Sequence, residues 1–208
     1  MPKPTFENLP HEKRERFVDA ALDEFTRHPY DVASVSRVVN RLGIAKGSIY
    51  QYFSDKFDLF RWLVGEALER RGDVQPAPNG VAPFEALRAR ATATLGFWRA
   101  EPRWACLLLR LQDPSSEERV TALARETRER ELEALTTWTR AAQKRGAVRG
   151  DVEPSTLAPL LYALLDRGLT RSYREGGEPS EAEEHMAEGR AEALASLATE
   201  LLERGLTG

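Results

Sequence analysis

The chain holds one cysteine, Cys106, so an intrachain disulfide and a cysteine metal cluster are both excluded. Its three histidines, His11, His28 and His185, are far apart, and none stands in the two-ligand spacing of a helical zinc site. No metal and no cofactor are therefore expected. Long apolar runs are missing too. The longest, LAPLLYALL at Leu157–Leu165, falls well short of the roughly 20 residues that cross a bilayer. The first residues, MPKPTFENLP, lack the apolar core of a secretory signal, which makes a cytoplasmic protein the expectation. Strand patterns of period two and internal repeats do not occur. Acidic residues are absent from Val32 to Ser54, although 33 of the 208 residues are Asp or Glu. Within that gap stand Arg37, Arg41 and Lys46, with Lys56 just beyond it. The net charge of −3 argues against a nucleic-acid binder, but the local distribution argues for one.

What is present is helix. A composition of 41% hydrophobic and 30% charged residues suits a folded globular chain, and the length admits one large or two small domains. Phe17, Ala20, Ala21 and Phe25 share one face of a first helix over Glu12–Arg27, which His28-Pro29 ends. Val35, Val38, Val39 and Leu42 define a second over Ser34–Leu42, with Ser34 placed as its N-cap. Gly43 then supplies a left-handed turn. A short third helix follows from Ala45 to Phe53, braced by Ile49 and Phe53 on one stripe. A fourth runs from after Asp55 to about Arg71, and the proline-rich GDVQPAPNGVAP breaks the chain after it. Further helices are expected over Phe84–Arg99, Arg103–Leu111, Ser116–Arg145, Ser155–Arg174 and Ser180–Glu203.

A two-turn helix is marginal on its own, so the third must be held by its neighbours. At about 100° per residue, Gly47 and Gln51 point away from the Ile49/Phe53 stripe, with Lys46, Ser48, Tyr50 and Tyr52 flanking it. That face fits a DNA major groove: glycine permits close approach, glutamine pairs with adenine, and lysine reaches guanine or phosphate. A merely solvated polar face explains two tyrosines on so short a helix less well.

The segments RFVDAALDEF and YDVASVSRVVNRLGIAKGSIYQYFSDKFDLF resemble the TetR family of transcriptional regulators. The resemblance is carried by Gly43, Ile44, Gly47, Ile49, Tyr50, Tyr52, Phe53 and Lys56 at fixed spacing. It covers about a quarter of the chain. Ala45 and Ala33 stand where the family often has Ser or Thr, and Pro29 replaces the usual glycine after the first helix. The resemblance implies an all-α protein. Residues 1–60 would form a three-helix helix-turn-helix DNA-binding domain, and residues 61–208 a larger helical domain for ligand binding and dimerisation. It also implies DNA contacts from Lys46, Gly47, Ser48, Tyr50, Gln51 and Tyr52, and phosphate contacts from Ser34, Ser36, Arg37 and Lys56.

A regulator of this kind needs a sensing site. The expected pocket wall is Phe97, Trp98, Trp104, Cys106, Leu109, Arg110, Trp138 and Tyr162, although ordinary core accounts better for any single aromatic among them. The stripes on the last two helices, including Leu161, Leu164 and Leu165 and then Leu194, Leu197 and Leu201, fit an intersubunit four-helix bundle. Burial within one subunit fits them too. The tract RETRERELE at Arg125–Glu133 is expected to be a solvated face with i,i+4 pairs. The leading expectation is a homodimeric repressor that binds palindromic double-stranded operator DNA and is released by a largely apolar small-molecule effector. The alternatives are a DNA-binding adaptor whose C-terminal part binds another protein, and a ligand-binding helical bundle with an enzymatic role.

Overall fold

A computed structural model of the chain describes residues 2–72, 81–167 and 190–207. The side chains of Lys46, Asp166, Arg167, Leu194 and of residues 190–192 and 195 also lie outside the description, as do the expected helical residues 168–174 and 180–189. Every described element is helical. In chain order they are α1 (Pro4–Glu7), α2 (His11–Arg27), α3 (Val35–Leu42), a 3₁₀ segment (Lys46–Gln51), α4 (Lys56–Arg71), α5 (Pro83–Ala100), α6 (Pro102–Arg110), α7 (Glu118–Lys144), α8 (Pro154–Tyr162), a π turn (Ala163–Arg167) and α9 (Arg190–Leu206). Among the described residues no helix is long and apolar enough to cross a membrane, and no group of three His, Cys, Asp or Glu side chains converges as metal ligands.

The chain forms two compact units that do not follow a single cut in sequence. The first takes residues up to Arg70 together with Arg103–Arg125; the second takes Arg71–Pro102 and the residues from Glu126 onward. In the first unit, Phe17, Ala21 and Phe25 of α2 are buried with Val38 and Val39 of α3 and with Leu59, Phe60, Leu63 and Val64 of α4. α4 starts on a reciprocal cap. The Asp55 carboxylate accepts the Asp58 N–H at 2.8 Å, and the Asp58 carboxylate accepts the Ser54 N–H at 3.2 Å. α6 is fastened to α2, since Arg110 Nε donates to the Thr26 carbonyl at 2.8 Å.

In the second unit α5 packs on α9. Trp138 of α7 donates its indole N–H to the Pro83 carbonyl at 3.1 Å and sets its ring edge-on to Phe84. Glu131 corrects the expectation of a wholly solvated α7 tract. It is 6% exposed, and its two oxygens accept from Arg71 and Arg90. A carboxylate so enclosed requires paired cations, because leaving it alone in low dielectric costs several kcal/mol. Arg130 and Glu126, one turn apart on the same helix, do form the expected exposed pair at 2.5 Å. The expected continuous helix from Ser155 also differs. α8 contains Pro159, which has no N–H to donate, and the helix widens into the π turn four residues later.

Candidate nucleic-acid interface

The turn between α3 and the 3₁₀ segment rests on Gly43, at φ +66°. Its N–H donates to the Asn40 carbonyl and the Ile44 N–H to the Val39 carbonyl, each at 3.1 Å, so the last carbonyls of α3 are satisfied by a left-handed cap. At the other end of α3, Ser34 occupies the N-cap position with extended φ and ψ, but its hydroxyl makes no cap bond. Glu24 of α2 fastens this end instead. Its carboxylate accepts the Ser34 N–H at 2.7 Å and both Nε and Nη2 of Arg37 at 2.6–3.1 Å. Burial pushes the Glu24 carboxyl up, but the Arg37 guanidinium and the Ser34 N–H outweigh it and hold the group below its ordinary value.

The recognition segment winds more tightly than the expected α-helix. Ala45 offers no hydroxyl to cap it and Gly47 disfavours an α turn, so the Ser48 N–H closes an i→i+3 bond to the Ala45 carbonyl at 2.9 Å. Residues three apart therefore stack on one edge. Gly47 lies over Tyr50 and Ser48 over Gln51, so Gly47 and Gln51, expected to point the same way, fall on adjoining edges; just past the segment the Tyr52 N–H closes onto the Ile49 carbonyl at 2.9 Å. Gly47, Tyr50 and Gln51 are exposed and Ser48 is half-buried; Ile49 and Phe53 are 2% and 1% exposed. Gly47 has a further property: a Cβ built there meets no atom within 4 Å. The fold leaves room for a side chain at this position, and the sequence supplies none.

Three residues expected at the DNA surface are engaged within the protein. Tyr52 is half-buried, its ring 5.8 Å from Phe6 and 5.7 Å from Phe17, because the 3₁₀ winding rotates it onto the inner edge. Arg37, besides its fork on Glu24, donates to the Val32 carbonyl at 2.7 Å. Lys56 donates to the carbonyls of Tyr30 and Ala33 at 2.9 and 3.2 Å and lies 4.2 Å from the Tyr30 ring centroid. Burial lowers the Lys56 ammonium from its usual value, and burial likewise pushes the Tyr30 phenol up to about 12. These side chains lock the loop between α2 and α3 to the start of α4. Ser36 is half-buried and Lys46 lies outside the described side chains.

Other residues around the segment gave little sign of themselves in the sequence. Glu24 could have been suspected, since it continues the Phe17/Ala20/Ala21 face of α2 where a lone carboxylate needs a partner. Asp31, in the α2–α3 loop, accepts from the Ser115 hydroxyl at 2.5 Å and from Ser116 through its N–H at 2.7 Å and hydroxyl at 2.8 Å. Those bonds hold the Asp31 carboxyl down at about 2. Arg119 lies 4.6 Å above the Phe57 ring and pairs with Asp55 at 2.8 Å. At the chain's start, Phe6 is 2% exposed among Phe17, Tyr52, Phe53 and Trp62.

The eight expected pocket residues are divided between the units. Trp104, Cys106, Leu109 and Arg110 belong to the first, where Trp104 lies 4.1 Å beneath the Arg70 guanidinium and the Cys106 Sγ approaches the Thr26 carbonyl at 3.9 Å. Of these, Trp104 also lines a cleft of about 660 Å³ with Phe6, His11, Trp62, Arg70 and Arg103. Phe97, Trp98, Trp138 and Tyr162 belong to the second unit and are each less than 10% exposed. Of the expected interface leucines, Leu161 and Leu165 are buried inside that unit. Leu164, Leu197 and Leu201 are half or more exposed, as is Leu160.

A three-element helix-turn-helix that presents an exposed glycine and glutamine on a braced turn defines the class of a DNA-binding regulator. The model of the bacterial regulatory proteins of the tetR family matches residues 17–63. AcnR, an HTH-type transcriptional repressor of Corynebacterium diphtheriae, is 30% identical over 172 residues, 82% of this chain and 86% of AcnR. An HTH-type transcriptional repressor of Mycobacterium tuberculosis is 29% identical over 182 residues, covering 86% of this chain and 91% of that protein. A TetR family transcriptional regulator from Chloroflexus aurantiacus has a TM-score of 0.77 at 27% identity, with 100% and 99% of the two chains covered. FadR from Bacillus subtilis, solved in complex with stearoyl-CoA, shares the fold at a TM-score of 0.69 and 20% identity, with 92% and 98% covered. The chain belongs to the TetR family.

Proposed function

We propose that the protein is a homodimeric transcriptional repressor that binds a palindromic operator and is released by a small, largely apolar effector. The observation that carries the DNA reading is the exposure of Gly47, Tyr50 and Gln51 on two adjoining edges of a turn braced by the buried Ile49 and Phe53, with empty space where a Gly47 side chain would stand. A surface so prepared suits the floor of a major groove, where Gln51 reads a base edge and the Tyr50 hydroxyl meets a phosphate. The relatives' names as repressors support the direction of regulation.

Dimerisation is assigned to the exposed row of Leu160, Leu164, Leu197 and Leu201, four large apolar side chains that water disfavours. Leu161 and Leu165 support this row from inside, and Leu194 continues its spacing in sequence. A two-fold dimer would set its recognition segments about 34–36 Å apart, one turn of DNA. The effector is assigned to the second unit beside Phe97, Trp98, Trp138 and Tyr162. Release needs only that it bind one spacing of the recognition segments better than the other.

The test is selection of duplexes from a randomised pool by the purified protein, followed by fluorescence anisotropy on the selected duplex at rising salt. The expected result is a motif repeated with two-fold symmetry one helical turn apart, bound with a steep salt dependence. Recovered sequences that share no motif would remove the operator reading.

A further inference from the structure

The C-terminal end of the recognition segment is closed by the chain's own beginning. Lys3 donates its backbone N–H to the Tyr52 carbonyl at 2.8 Å and its ammonium to the Tyr50 carbonyl at 2.7 Å. Thr5 donates its hydroxyl to the Gln51 carbonyl between them. Three successive carbonyls thus find partners on one short arm. Helix ends leave such carbonyls without intrahelical donors, and their partial negative charge favours a cation. The arm is itself fixed. Pro4 opens α1, the Phe6 N–H returns to the Lys3 carbonyl at 2.8 Å, and the Phe6 ring is buried 4.9 Å from Phe53 and 5.0 Å from Trp62.

We propose that Lys3 and Thr5 are positioning residues for operator reading: they clamp the Tyr50–Tyr52 backbone so that Gln51 and Gly47 meet the groove in one orientation. The inference rests on the DNA reading above. A six-residue turn cannot hold its own last carbonyls, and the side chain that reads a base is attached to the backbone the arm grips. The clamp acts without touching DNA. It differs in this from a lysine that binds phosphate, which would add affinity for every duplex alike.

The test uses the full chain as wild type, Lys3→Met, Lys3→Arg, Thr5→Val and the Lys3→Met/Thr5→Val double variant. Both positions are exposed, so the variants keep the fold, which melting curves check. Amide hydrogen exchange without DNA is expected to speed up roughly tenfold across Ser48–Phe53 in the double variant. Affinity for the wild-type-selected duplex should fall roughly tenfold, with binding to a scrambled duplex and the salt slope unchanged. Lys3→Arg should restore most of the loss. If Lys3→Met weakens both duplexes equally and lowers the salt slope by about one, Lys3 is a phosphate ligand and the clamp is overturned. Unchanged exchange overturns it as well. Should the wild type select no duplex, the DNA reading fails by itself, and the exchange comparison still decides the clamp.

Discussion

Replacing Gly47 by alanine separates what the fold requires from what a DNA partner requires. In the free protein the new methyl meets nothing within 4 Å, and the backbone there is outside the left-handed region, so no strain arises. Alanine is favoured over glycine in helical backbone by about 0.8–1 kcal/mol, mainly because glycine has more freedom to lose on folding. The 3₁₀ winding reduces that gain, and about 0.5 kcal/mol of added stability is the expectation. For a chain of this size that raises the melting temperature by about 1–2 °C. At the groove the sign reverses. A methyl extends about 1.5 Å from the backbone, and forcing it into a close-packed contact costs about 1–3 kcal/mol. Affinity for the selected duplex should therefore fall by roughly 5- to 150-fold. Differential scanning fluorimetry and anisotropy on the same preparations measure both effects, and Gly47→Val should deepen the loss of binding. An alanine variant that is more stable and binds equally well would refute the close-approach argument. One that is less stable would show the glycine to be a requirement of the fold.

Glu24→Gln should destabilise the protein by about 2 kcal/mol in urea titrations at pH 7, because hydrogen bonds to a charged group are lost at Ser34 and Arg37. The folded Glu24 carboxyl titrates below its ordinary 4.5, so its contribution is fully present above that value and disappears as pH falls through the lower folded one. The gap between wild type and variant should therefore close at acid pH, and a constant gap would refute the assignment. Asp31→Asn should likewise lose stability above the ordinary aspartate value of 3.8 and converge with wild type as pH approaches about 2, read by acid titration of tryptophan fluorescence. Glu131→Ala leaves two guanidiniums without their shared carboxylate and should cost about 3 kcal/mol or more in chemical denaturation. A loss below about 1 kcal/mol would place those arginines in water instead. Leu164→Glu with Leu201→Glu should give folded monomers in sedimentation, since both side chains are exposed in the single chain; a persistent dimer would put the interface elsewhere.

Apolar spacing located the buried side of the reading head correctly. Ile49 and Phe53 are enclosed as their i,i+4 spacing requires, and Gly43 adopts the positive φ that a glycine after a short helix suggests. Winding was not legible. An α-helix places Tyr52 about 60° from Ile49 around the axis, whereas a 3₁₀ helix places the two in line. That difference turns Tyr52 from a surface group into part of the Phe6–Phe17 cluster. Whether a short segment closes i→i+3 or i→i+4 bonds depends on caps and neighbours distant in sequence, which periodicity does not record. Lys3 and Thr5 lie more than forty residues from the carbonyls they meet.

Charge was a signal that folding partly cancels, for a physical reason. The acid-free stretch from Val32 to Ser54 looks cationic, yet Arg37 is paired with Glu24, and Arg41 with Asp23 and, at 3.9 Å, with Asp19, all three carboxylates carried by α2. Folding brings one helix's acids against the next helix's bases, so much of the apparent positive surface is neutralised before DNA arrives. These pairs tie α3 to α2, and the described side chains of the 3₁₀ segment, Ser48, Ile49, Tyr50 and Gln51, carry no charge. With Arg37 and Arg41 engaged inside the protein, sequence preference is left to the fit of Gly47, Ser48 and Gln51. Reading of this kind depends on the rigidity of the turn, which is why the residues that brace it, Glu24, Lys56 and the N-terminal arm, matter although they face the protein.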